Sequence, residues 1–525
     1  MAFGILEPSR QVHPSRNNNV LIMDAEENND THLKLMPLPS NSPSDPLNWT
    51  RLKKELLFAT IIFGSCATGS LGPVLVPGFT TVAAQFETNL RSIALLNGAL
   101  VMASGVSAYL CSCFAGVYGK RSVFIATTIL LIVSCCWAAA SKSYHSLLTS
   151  RIFQGLGIGA FFALAGTSSI NDVFFVHERG IRVGLWNFGV IISVNLTPVV
   201  SGYVISNLSW RWSFWLEMIL FSTLLISVIF LFPETTFCRE DKDIVVVGIQ
   251  HTPKDENSAA EKMNTGSSLH ATSEEPRCSW WSSTFAFSQV KSNRKSSLLM
   301  ACIKPLYLIW HPIAIWGCLM WSVTFTWAIL LGAVVSQIFV ASPYNMSTVG
   351  VGNLSGIAPF IGSAIGTVVS GWLCDFLAKE MTRRNSGLYE PEFRLVVIFP
   401  TAIAMAVGSF GLGAAIENEL SFIVCGVFMA ILNFAIGMGC TSIVTYTNDV
   451  FAERAGDAFG LAMLSKSVFA FGLIFVFNDY YARIGPLPFF STFGAVSLGV
   501  MVTTVPVYIF GKRIRYWADK GQNMD

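Results

Sequence analysis

Seven residues in or beside long apolar runs have the chemistry to bind or couple a small solute: Arg151, Gln154, Asn195, Trp321, Asn433, Tyr446 and Lys466. Arg151 and Lys466 are the only Arg and the only Lys within such runs. A cation in an apolar helix costs about 3 kcal/mol unless it meets water or a polar partner. An Arg offers a planar fork that can hold a carboxylate, a carbonyl or a proton-relay group, whereas a Lys is a point charge. Gln154 follows Arg151 by three residues, and Trp321 belongs to an aromatic group (Trp310, Trp316, Trp321, Phe325, Trp327) that could stack on an aromatic or cationic solute. A second set lies between runs. Lys120 and Arg121, and later Asp375, Arg383 and Arg384, could pair with the ends of neighbouring helices and hold an inner gate shut. Arg383 and Arg384 equally well serve only to fix topology.

Small residues accompany these groups. Gly155, Gly157 and Gly159 follow Arg151 and let a neighbouring helix come close, while Pro198 kinks its segment and Gly202 permits tight contact. Other chemistries lack their residues. There are seven His, of which only His311 borders a run, and there is no phosphate-binding loop and no metal-ligand spacing. Of the twelve Cys, nine fall in runs and none in an outer gap, so no structural disulfides are expected. The expectation is therefore no enzyme, no cofactor and no metal. The charges are dispersed, so nothing points to nucleic acid.

The elements that must position these residues are membrane helices. The chain has 525 residues, 52% apolar and 13% charged. That charge is about half of the usual quarter. Twelve apolar runs, from Leu56–Val76 to Phe489–Phe510, reach the length of about 20 residues that a bilayer requires. Lipid offers the backbone no partners, so each run should be a helix. The expected fold is an all-α membrane protein with twelve transmembrane helices in two pseudo-symmetric six-helix halves. Residues 1–55 read as a disordered cytosolic tail, 56–237 as the N-terminal half, 238–305 as a cytosolic linker, 306–512 as the C-terminal half and 513–525 as a cytosolic tail. Within the linker, His251 to Glu275 should be mobile, and Trp280-Trp281 with Phe285-Ala286-Phe287 read as a short interfacial helix. With the N-terminus cytosolic, 28 of the 34 Lys and Arg lie inside and four outside (Arg91, Lys142, Arg211, Arg483). A miscounted span would scramble that split. Asn207 and Asn345 open glycosylation sequons in expected outer loops, or are chance tripeptides too near the membrane to be used.

The stretch Arg151-Ile-Phe-Gln154-Gly155-Leu-Gly157-Ile-Gly159 resembles the fourth-helix signature of the major facilitator superfamily. Gly119-Lys120-Arg121 resembles the second part of its cytosolic loop signature, with Gly116 where the acid should be; Gly371 with Asp375 is the better acidic match in the second half. Asn195 to Gly202 resembles an antiporter motif, with Thr197 and Ser201 in place of two glycines. Asp45-Pro-Leu-Asn-Trp49, Asn171-Asp172 with Glu178-Arg179-Gly180, Pro233-Glu234-Thr235, Glu390-Pro-Glu392-Phe-Arg394 and Gly511-Lys512-Arg513-Ile-Arg515 look like the fungal twelve-spanner drug:proton antiporter family. The resemblance implies a monomeric secondary transporter of the plasma membrane, or of the vacuolar membrane, that exports a drug, toxin or secondary metabolite in exchange for protons. An uptake permease for a nutrient or cation is the alternative within transport, and a membrane enzyme or receptor the remote one. The resemblance also implies that spans 1, 4, 7 and 10 line a cavity faced by Arg151, with the Lys466 span further out. Those four spans hold no carboxylate, and Glu217 in span 6 is the only acid clearly within a run.

Overall fold

The computed structural model describes residues 45–174, 176–236, 298–385, 389–451 and 454–522. The stretch His251–Glu275 and the aromatic groups at 280–287 lie outside the described residues. Twelve helices are long and apolar enough to cross a membrane. The first half holds α1 (Arg51–Ser70), α2 (Leu90–Tyr118), α3 (Lys120–Ala140), α4 (Tyr144–Ala163), α5 (Val176–Asn207) and α6 (Trp210–Leu231). The second holds α7 (Pro312–Val340), α8 (Thr348–Arg384), α9 (Ile398–Glu417), α10 (Phe422–Val450), α11 (Ala455–Ile484) and α12 (Pro486–Val502), and α12 leads into α13 (Thr504–Gln522).

Most spans are apolar on all sides because one face meets helices and the other meets lipid. On α6, Phe214, Phe221, Leu224 and Val228 are buried, while Leu216, Ile219, Ile226 and Phe230 are exposed. Within the first half α2 packs on α4, α3 on α4 and α6, and α1 on α5. In the second half α8 packs on α10, α9 on α10 and α12, and α7 on α11. Adding six to each label of the first set gives the second, so the duplication is visible in the packing. The halves meet along two seams, α2 with α11 and α5 with α8. The same relabelling exchanges these seams. Pro73 and Pro77 prevent α1 from continuing regularly, and the chain runs on as a 3-10 stretch Pro73–Gly78 that packs on α7 and α8 across the midline.

The elements extend beyond the boundaries expected from sequence. Residues 45–55, assigned to the tail, are ordered: Asp45 is buried and accepts from the Leu47 amide at 3.0 Å, and Lys54 donates to Leu47 O at 3.0 Å. The end of the linker forms a helix, Leu298–Ile303, packed on α2. Residues 513–522 belong to α13 rather than to a loose tail. Two of its basic residues explain why. Lys512 donates to Glu390 at 2.7 Å, and Arg515 donates to Glu390 at 3.1 Å and to fully buried Glu392 at 2.8 Å. Arg515→Ala leaves Glu392 without its cation, and breaking such a pair costs about 3–5 kcal/mol. We expect a large fall in the thermal unfolding midpoint of the detergent-purified protein; an unchanged midpoint would refute the latch.

Candidate functional site

In the first half the site grows from the end of α1. The last carbonyls of a helix lack intrahelical partners, and here Arg151 takes that of the capping residue Leu71 and that of Gly72 after it. Its Nη1 donates to Leu71 O and to Gln154 Oε1, both at 3.0 Å. Nη2 donates to Gly72 O at 3.4 Å and to Asn97 Oδ1 at 3.5 Å. Gln154 in turn donates to Ser134 O of α3 at 3.4 Å. The guanidinium lies 5.7 Å from the Phe214 ring centroid. Arg151 is fully buried. It therefore neither snorkels to the surface nor opens onto a central cavity, and this corrects the expectation that it faces one: Leu71 O, Gly72 O and the amide of Gln154 enclose it.

The glycines beside Arg151 explain how it is enclosed. A Cβ on Gly155 would come 2.6 Å from Ala103 Cβ of α2, and one on Gly159 2.5 Å from Ala108 N. A Cβ on Gly157 would come 2.6 Å from Leu131 Cγ of α3. After Ala163 the chain makes a π-helical turn, Leu164–Ser169. Such turns inside helices are frequent at functional sites. Glu217 of α6 reaches the same end of α1 from the other side: Ser70 Oγ lies 2.6 Å from its Oε1.

In the second half Lys466 of α11 places its Nζ 4.3 Å from the Phe325 ring centroid. Phe325 stacks on Trp321 at 4.9 Å and 15°, and Trp321 meets the Phe459 edge at 5.6 Å. Among the described residues the Lys466 ammonium makes no hydrogen bond or ion pair. Its neighbour Ser467 sits against Gly105 of α2, so Lys466 lies beside one of the seams between halves. Asn433 and Tyr446 join neither group. Asn433 donates to Met429 O of its own helix at 2.9 Å, and Tyr446 is buried edge-on to Trp316 at 5.4 Å.

Asn195 crosses the other seam and donates to Ser363 Oγ of α8 at 2.9 Å. Pro198 and Gly202 sit just beyond it. A Cβ on Gly352 of α8 would come 2.5 Å from Pro198 O, and one on Gly202 would come 3.3 Å from Thr348 O. The helices touch backbone to backbone. At one end of the other seam Arg91 pairs with Asp479 at 3.0 Å.

At one end of the bundle, Lys120 pairs with Asp172, and Arg121 Nη2 donates to Ile229 O at 2.8 Å. The acid absent at Gly116 is supplied by Glu234, whose two oxygens accept from the Lys120 and Arg121 amides at 3.0 and 3.1 Å. Asp375 pairs with Arg394 at 3.1 Å, and Arg394 Nε also donates to Asp449 at 2.6 Å and to the Tyr389 hydroxyl at 2.8 Å. Burial, with Asp449 beside it, pushes the Tyr389 phenol above its ordinary range, so it stays protonated and donates to Asp449. For Arg383 and Arg384, read equally as latch residues or as topology residues, the structure favours the second. Both are exposed and pair with Glu380, one turn back on their own helix, so they bridge nothing. The residues that do bridge helices, Arg394, Asp449 and Glu234, were not singled out for this from sequence. Glu234 and Arg394 stood in two of the stretches that carry the family resemblance, which was the available signal. Asn207 ends α5, and Asn345 lies between α7 and α8, both at the opposite end of the bundle.

A family model described as Major Facilitator Superfamily matches residues 56–474. An uncharacterised MFS-type transporter of Schizosaccharomyces pombe is 24% identical, covering 94% of this chain and 89% of that protein. "Protein HOL1" of Saccharomyces cerevisiae is 23% identical over 97% of this chain and 95% of its own length. A "Probable efflux pump mfs2" of Aspergillus flavus is 24% identical over 78% and 91%. Among solved structures, the partially occluded inward-open xylose transporter XylE from E. coli superposes with a TM-score of 0.60 at 14% identity, covering 86% of this chain and 97% of that one.

Proposed function

Since this chain belongs to the major facilitator superfamily and is a multi-pass membrane transporter, we propose that it exports a small organic molecule, a drug, toxin or secondary metabolite, by proton antiport across the plasma membrane as a monomer. The observation that carries the reading is the α5–α8 seam. Two six-helix bodies meet there through Pro198, Gly202, Gly352 and Gly356, with little side chain between them, so one can roll on the other. Export is favoured over uptake by the antiporter-like stretch Asn195 to Gly202 lying on that seam, and by the fungal relative named a probable efflux pump. The unpaired Lys466 ammonium beside the Trp321–Phe325 stack suits a substrate with an apolar or aromatic body and a carboxylate.

The test is accumulation of a panel of acidic, neutral and cationic compounds in a pump-deficient fungal host. Export predicts lower accumulation of at least one compound, and higher accumulation would identify an uptake permease. For an acidic compound that is exported, Lys466→Gln removes a charge-assisted hydrogen bond worth about 1.5–3 kcal/mol, which is roughly tenfold or more in rate. Export of neutral compounds should persist, and a uniform effect on both would refute the assignment of Lys466 to substrate.

A further inference from the structure

Ser70, the last residue of α1, faces more acceptors than it has protons. Its Oγ lies 2.7 Å from Ala67 O and 2.6 Å from Glu217 Oε1. A hydroxyl donates one hydrogen. Serines in buried helices usually give it to a carbonyl of the preceding turn, here Ala67 O. With the hydroxyl proton directed to Ala67 O, the 2.6 Å approach to Glu217 Oε1 calls for a proton on the carboxyl; with it directed to Oε1, the carboxyl is ionised. The other carboxyl oxygen, Oε2, has no partner and is buried, in a residue that is 4% exposed. An ionised carboxylate left half-partnered in that place is costly.

The surroundings of Glu217 are otherwise simple. Arg151 of α4 and the Cys135 thiol of α3 are the ionisable groups that act on it among the described residues. The Pro73–Gly78 stretch has no ionisable side chain, and α1 presents the Ser70 hydroxyl. On α5, Arg182 is paired with Glu55, and Tyr203 is exposed.

We propose that Glu217 is a proton-binding site, and that α1 reads its state through Ser70. In the loaded form the Glu217 carboxyl O–H donates to Ser70 Oγ, and the Ser70 O–H donates to Ala67 O. When the proton leaves to water, the Ser70 hydroxyl turns from Ala67 O to Glu217 Oε1, and the new negative charge competes with Leu71 O and Gly72 O for the Arg151 guanidinium. Those carbonyls open the Pro73–Gly78 stretch that packs on α7 and α8. One proton thus alters the grip on the segment of the first half that touches the second. The part this plays in export rests on the reading above; the proton site itself does not.

The test is infrared difference spectroscopy of the full-length protein in lipid nanodiscs as pH is lowered from alkaline. The wild type should develop a protonated-carboxyl C=O band that Glu217→Gln abolishes and Glu392→Gln keeps. Ser70→Ala should move the frequency of that band, because the carboxyl loses its partner, and Ser70→Thr should restore it. A full band in Glu217→Gln overturns the site. Should that variant fail to insert, the Ser70 pair decides, and a frequency indifferent to Ser70→Ala overturns the proposal. A wild type with the band that exports nothing from the compound panel would refute export and leave the proton site standing.

Discussion

Arg151→Lys lowers the efflux rate at least about tenfold at equal surface abundance. Two guanidinium nitrogens serve four acceptors on three segments: Leu71 O and Gly72 O beyond α1, Asn97 of α2 and Gln154 of α4. A lysine has a single ammonium at the end of a flexible stem, and it cannot span that set. Even one lost charge-assisted bond is worth about 1.5–3 kcal/mol, and each 1.36 kcal/mol is tenfold in rate. The measurement is the initial efflux rate of an exported compound in cells expressing matched surface amounts of the two proteins. Arg211→Lys is the control. Arg211 makes a peripheral bond to Ser141 O at 3.1 Å, and its replacement should leave the rate unchanged. Equal rates for wild type and Arg151→Lys would leave Arg151 no part in transport.

Gly352→Ala stops export by a different route. The added methyl would lie 2.5 Å from Pro198 O, a backbone atom that cannot rotate away. The helices must separate, and overpacking of this kind costs about 1–3 kcal/mol. The halves would then lose the close contact on which they roll. Gly371→Ala, on the same helix, adds a methyl that meets nothing within 4 Å. We expect Gly352→Ala to lose most of its transport and to unfold at lower temperature, and Gly371→Ala to match wild type in both. A Gly352→Ala protein that transports normally would show that the seam is not where the halves move.

The large features were legible in the sequence because they follow from local rules. Twelve helices emerge from apolar run length alone, and a charge split would have exposed a missed span. Arg151 with Gln154 was legible because the two lie three residues apart on one helix. The close approach at Gly352 was not. Its partner carbonyl belongs to Pro198, and nothing in either stretch names the other. Glu234 illustrates the same limit: it caps the Lys120 and Arg121 amides from a sequence distance of more than 110 residues. The missing acid at Gly116 looked like a gap in the loop, whereas the fold fills it from the segment that follows α6. Arg383 and Arg384 show the converse. Their spacing after Asp375 suited a latch, but Glu380 is nearer along the same helix and takes both. Proximity in sequence decides such pairs, and long-range pairs wait for the fold.

The bond between Glu392 and Arg515 also has a consequence in time. The two residues are 123 positions apart. At a synthesis rate of about 5–20 residues per second, the carboxylate emerges about 6–25 s before its guanidinium exists. During that interval the 3-10 stretch Pro391–Val397 ahead of α9 carries an acid whose cation has yet to be made. This contact of the second half therefore closes last: the earlier spans can be threaded first, but Glu392 waits for Arg515 until the final helix is made.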